Sequence, residues 1–290
     1  MASDSVLFRG GLATAAVFLA IAAALLGMQG LVDANAIGPT IPVIGANLLA
    51  VAIVLSLLPL TWVILQVEAV QMRQLGLVPS LVAPALGAIA VFSIGINLGG
   101  IGLALAADRT HTIGYVWQLP PRELLVWALF MLLVAGIVEE VVFRGYLQTK
   151  AIAVLGDSTA VGIGGGILLA SLAFAGFHLP RVITSGVPRG VHVWEYLVVL
   201  VLVGVTLGLV YELTANLYIP IFLHTIGNLP GGRDLVVFST ATWPTWTVVA
   251  YTAWYVVVAI ATILGYRLIV TGRGPWPHRR DTRLRDPVER

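Results

Sequence analysis

The chain has 290 residues, 59% of them hydrophobic and 10% charged, with a formal net charge of +2. Soluble domains carry about 25% charged residues, so the composition excludes a soluble globular protein and describes a polytopic membrane protein. The absence of cysteine excludes disulfides, thiolate catalysis and cysteine-based metal sites.

The hydropathy pattern predicts an all-α bundle of about eight membrane spans. The first covers residues 11–32 and is too long for a signal-peptide core of roughly 7–15 residues, so it reads as a retained helix. A second span covers about 42–66, and Glu68 to Ser80 reads as a polar link. The third runs over about 81–107, with Gly95 and Gly99 at the spacing that favours close helix contact. The fourth starts near Glu123, after Pro120-Pro121, and its pattern continues past Glu139 to a break at Gly156-Asp157-Ser158. The fifth has Asp157 or Ser158 as its expected N-cap, carries Gly162 and Gly166, and ends at Pro180. A loop is expected over 179–193. The sixth span, about 194–213, carries Gly204 and Gly208. A short seventh helix follows Asn216 and stops before Pro230, a loop is expected over 229–244, and the eighth span is about 245–270.

No repeat divides the chain. Residues 1–270 read as one integral membrane domain, and 271–290 as a basic tail expected to be disordered. That tail reads as a topology signal rather than a nucleic-acid site. Eight spans put both termini on one side, with Arg9, Arg73, Arg144, Lys150, Arg267 and the tail arginines. The basic excess predicts cytoplasmic termini in a multi-pass protein of the cell membrane. The 179–193 and 229–244 loops would then face the exterior.

The polar residues within the spans are few. Glu139, Glu140 and Arg144 lie inside the fourth apolar run. A charge in hydrocarbon costs roughly 2.5–3.5 kcal/mol on insertion scales, so such residues need partners inside the protein. On a helix, Glu140 and Arg144 share a face and can pair, acid before base. Glu139 lies about 100° round the axis and is left available for chemistry. The plainer reading is a solvated helix end.

Three further residues fall at related depths. With a rise of ~1.5 Å per residue, Glu139 lies about 26 Å before the Gly156 break and His178 about 30 Å after it. His224 lies about 12 Å in from its own turn. Phe174 is one turn before His178, and Asn228 one turn after His224. Each histidine alone could be a packing residue bonded to a backbone carbonyl. His111, His192 and His278 fall in expected loops or the tail and carry no role.

A buried carboxylate and a neutral imidazole can hold and deprotonate water, because burial strengthens a carboxylate as a base. A second histidine and an amide can donate to a developing oxyanion. No G-x-S-x-G or H-E-x-x-H motif is present. Two histidines and a glutamate also match a hydrolytic zinc site. The residues alone therefore leave a metal and a glutamate base both open.

Glu139-Glu140-x-x-x-Arg144, Phe174-x-x-x-His178 and His224-x-x-x-Asn228 occur in that order on successive spans. Over about 123–230 the chain resembles the CPBP family, which includes CAAX prenyl endopeptidases of the second type and bacteriocin-processing or self-immunity (Abi) proteins. The resemblance implies a metal-independent glutamic intramembrane endopeptidase with no cofactor, acting on a peptide or protein substrate held in the bilayer and lipidated in some members. It implies that Glu139 and His178 activate water, that His224 and Asn228 form an oxyanion hole, and that Glu140, Arg144 and Phe174 support them. A second expectation is a non-catalytic membrane scaffold or immunity protein using the same cavity. A third is a transporter with a proton relay, which the absence of a repeat disfavours.

Overall fold

The computed structural model describes residues 5–33, 43–109, 113, 119–187, 192–229, 245–271 and 281–284. Strand β1 (Ser5–Phe8) leads into α1 (Leu12–Asp33), α2 (Val43–Leu55), α3 (Leu57–Val67) and α4 (Val82–Ala106). Then follow α5 (Pro121–Met131), α6 (Val138–Glu140), α7 (Thr149–Leu155), α8 (Ala160–Phe177), α9 (Leu179–Ser185), α10 (Val193–Thr214), α11 (Tyr218–Gly227), α12 (Thr245–Tyr266) and strand β2 (Asp281–Leu284). Among the described residues, seven segments are long and apolar enough to cross a membrane. The short apolar helix α11 is the expected seventh element of the eight. The protein is an integral multi-pass membrane protein with an all-α bundle, as its composition requires.

Several local expectations are corrected. Leu179–Ser185 is helical, not loop, because Pro180 sits in the first turn of α9, where its missing N–H costs nothing. The N-cap of α8 is Thr159, whose Oγ1 accepts the Gly162 N–H at 2.9 Å. The 229–244 loop, His111 and His278 lie outside the described residues, Leu229 excepted. Of the expected disordered tail, Asp281–Leu284 pairs in parallel with Ser5–Phe8, which brings the two chain ends together.

Glu68, expected in a polar link, is instead fully buried. It accepts hydrogen bonds from the Gly10 N–H (2.7 Å), Thr14 Oγ1 (2.5 Å) and Lys150 Nζ (2.7 Å). Lys150 also donates to the Gly10 carbonyl and lies 4.6 Å from the Phe8 ring centroid. The set ties the N-terminus to α7. A buried carboxylate is stable only when its lone pairs are met. Thr14→Val keeps the shape and removes one donor, and a bond to a charged group is worth about 1.5–3 kcal/mol. We expect a lower thermal midpoint in detergent, and an unchanged midpoint would show that Thr14 does not support Glu68.

The glycine pairs act as expected. A Cβ on Gly204 would lie 2.8 Å from the Ser171 Cβ, and one on Gly166 would lie 2.8 Å from the Ile152 backbone nitrogen. Helix α8 thus packs backbone-close to both α7 and α10.

Candidate active site

The fourth span runs helically from Pro121 to Leu155, so the expectation that it passes through Glu139 without a break holds. Two stretches of it, Leu132–Ile137 and Val141–Gln148, are π-helical and bracket Glu139 and Glu140. Such widened turns are frequent at functional sites. Thr149 Oγ1 donates to the Arg144 carbonyl five residues back, at 3.0 Å, and supports the widened geometry.

Gly136 lets α11 approach this segment. A Cβ there would lie 3.0 Å from the Ile221 carbonyl oxygen and would strike the Thr225 hydroxyl. The close approach delivers His224, the neighbour of Thr225, to the two glutamates. His224 Nδ1 lies 2.7 Å from Glu140 Oε1, and its Nε2 lies 3.7 Å from Glu139 Oε2.

Arg144 and Glu140 form the expected pair at 2.9 Å, with both side chains sealed from solvent. The guanidinium also lies 4.7 Å from the Phe174 ring centroid and donates to the Gly204 carbonyl at 3.4 Å. One turn on, Gln148 Nε2 donates to the Gly208 carbonyl at 3.0 Å. The bare backbone of Gly204 and Gly208 therefore serves as a pair of acceptors as well as a packing face.

Phe174 joins the second histidine to this group. Its ring meets His178 edge-on at 4.7 Å and His224 at 5.9 Å between centroids. His178 Nδ1 donates to the Phe174 carbonyl at 2.8 Å, since a carbonyl can only accept, and in a neutral ring Nε2 then carries the lone pair. Among the described residues, no hydrogen bond or ion pair joins His178 to either glutamate. Asn228 caps α11 and is exposed, and its Nδ2 donates to the His224 carbonyl at 3.2 Å.

The two glutamates differ in environment. Glu140 is fully buried and shared between Arg144 and His224. The Glu139 side chain keeps 21% of its exposure, and the Oε2 atoms of both glutamates accept no hydrogen bond from the described residues. Among those residues, no three His, Asp or Glu side chains are grouped to hold a metal ion.

The pairing of Glu140 with Arg144 was legible in the sequence. The His224–Glu140 bond was not, because residues 84 apart leave no local signal. Gln148 was legible in principle: its four-residue offset from Arg144 matches that of Gly208 from Gly204.

The family model described as type II CAAX prenyl endopeptidase Rce1-like matches residues 121–230. Over 98 residues, 34% of this chain, the sequence is 31% identical to the uncharacterized protein YpbD of Bacillus subtilis (strain 168). That match spans 40% of the relative's length. No solved structure matches the chain. The matched residues 121–230 hold all seven motif residues from Glu139 to Asn228, and over them the chain is similar to the type II CAAX prenyl endopeptidase Rce1-like family.

Proposed function

We propose that the protein is an intramembrane endopeptidase of the glutamic type, needing no metal, that cleaves a peptide bond in a substrate held at the bilayer. The observation that carries this reading is the contrast between the glutamates. Glu140 is fully buried and holds Arg144 and His224 at its Oε1, whereas Glu139 is partly exposed, is not bonded to Arg144, and faces the His224 imidazole at 3.7 Å without a hydrogen bond to its Oε2.

In the proposed reaction, Glu139 and the free Nε2 of His178 hold a water and Glu139 takes its proton. The hydroxide attacks the scissile carbonyl carbon. The tetrahedral oxyanion accepts hydrogen bonds from His224 Nε2–H and the Asn228 amide. The C–N bond then breaks, and the proton on Glu139 passes to the leaving amine. One water is consumed, and the new carboxylic acid gives its proton to the new amine, so a carboxylate and an ammonium result. With Nδ1–H given to Glu140, an Nε2–H makes His224 an imidazolium. Two carboxylates then face two cations, Arg144 and His224, which is the pairing a buried charged cluster needs.

Residues 1–270 act as one membrane domain in this reading, and the arginine-rich C-terminal tail supports cytoplasmic termini. The substrate is a peptide or protein that is lipidated or otherwise membrane-bound. The family's description favours a prenylated one.

The test uses purified protein in liposomes with two internally quenched peptides, one S-farnesylated with a CAAX ending and one an unprenylated membrane-spanning peptide. Cleavage of either is expected to survive a strong chelator, with far less than stoichiometric zinc by elemental analysis. Loss of activity with chelator and recovery with zinc would assign the chemistry to a metal. Cleavage of neither peptide would favour the scaffold.

A further inference from the structure

Helix α11 is short, and it carries both proposed oxyanion donors at its C-terminal end, His224 in its last turn and Asn228 at its cap. The last carbonyls of a helix have no intrahelical partner, and in a membrane each unmet one costs several kcal/mol. This end also needs to be held still, because a donor displaced by about 1 Å loses much of its catalytic effect. Gly136 anchors the helix at Thr225 from one side. At the open end, where Gly227 and Asn228 are exposed, the Trp127 indole Nε1–H donates to the Asn228 carbonyl at 3.2 Å, across 101 residues.

We propose that Trp127 is a positioning residue for Asn228. It acts by tying the end of α11 to the start of the fourth span, and the inference rests on the oxyanion role proposed for Asn228. The indole is itself steadied by Phe130, three residues on and 5.8 Å away between ring centroids. The Asn228 N–H is shared between the His224 and Thr225 carbonyls, 3.2 Å from each. The Asn228 backbone is thus held on both sides of its Cα, by its own helix through the nitrogen and by Trp127 through the oxygen. The side-chain amide spends one hydrogen on the His224 carbonyl and retains a second for substrate. Trp127 touches no reacting atom in this arrangement and sets where that second hydrogen sits.

Trp127→Phe keeps an aromatic ring against Phe130 and deletes the donor together with the indole's second ring. In nanodiscs, amide hydrogen exchange of the variant is expected to rise over residues 224–229 and to match wild type elsewhere. With the farnesylated quenched peptide, kcat is expected to fall about tenfold, the worth of one hydrogen bond in the transition state, with KM unchanged. In an Asn228→Ala background the same change should add less than a twofold loss, because its route of action is gone. Unchanged exchange over 224–229, a loss confined to KM, or a full additional loss on top of Asn228→Ala would each overturn the proposal. Raised exchange in a protein that cleaves no probe would retain the tether and count against the endopeptidase reading instead.

Discussion

Glu139→Gln is expected to reduce peptide cleavage by about 10²–10⁴-fold, the range for removing a positioned general base, while accumulation and thermal midpoint stay near wild type. Glutamine has the same shape, but its amide cannot take a proton. Little folding energy should be lost, because Glu139 Oε2 accepts no hydrogen bond among the described residues. The substitution removes the negative charge that His224 faces at 3.7 Å, beyond hydrogen-bond reach. Glu140→Gln is the instructive contrast. It breaks a 2.9 Å bridge to Arg144 and a 2.7 Å bond to His224, so stability and activity should fall together. Steady-state rates and detergent melting curves on the two variants separate the roles. A Glu139→Gln protein that keeps more than about a tenth of the wild-type rate would remove Glu139 from the base position.

Arg144→Ala is expected to be the most destabilising substitution near the site, at about 3–5 kcal/mol, the usual cost of orphaning one partner of a buried pair. Glu140 has no exposure with which to recover hydration. The truncation also removes the cation over Phe174, the ring that contacts both histidines. Membrane yield and melting temperature should therefore fall before any kinetic effect can be read. Arg144→Lys should recover part of the stability, since an ammonium restores charge but not the forked geometry that reaches Glu140 and Gly204 together. Normal accumulation of a fully active Arg144→Ala protein would show that the pair is dispensable.

The two glutamates show how far one-dimensional reasoning reaches. Their helical offset placed Glu140 rather than Glu139 against Arg144, and in the structure Arg144 pairs with Glu140. That argument survives the π-helical turns on either side, because Glu140 and Arg144 still meet at 2.9 Å. The widened turns themselves were not legible: the charged and polar residues of Val141–Gln148 fit an ordinary helical period, and Leu132–Ile137 is plainly apolar. Glu68 was misread for a related reason. Its sequence neighbours Gln66, Gln71 and Arg73 look like a solvated link, and its partners Gly10, Thr14 and Lys150 come from elsewhere in the chain.

By itself, the sequence determined the membrane environment, the all-α bundle, the eight apolar elements and the order of the motif residues along them. Those properties follow from hydropathy and helical period, which are local and set by the need to satisfy every backbone group within lipid. Only the tertiary structure decided which glutamate His224 holds, that Phe174 joins the two histidines, and that Trp127 grips the end of α11. Those contacts depend on how closely one helix approaches another and at what rotation. Gly136 and the π-helical turns set both quantities, and the hydrophobic pattern records neither.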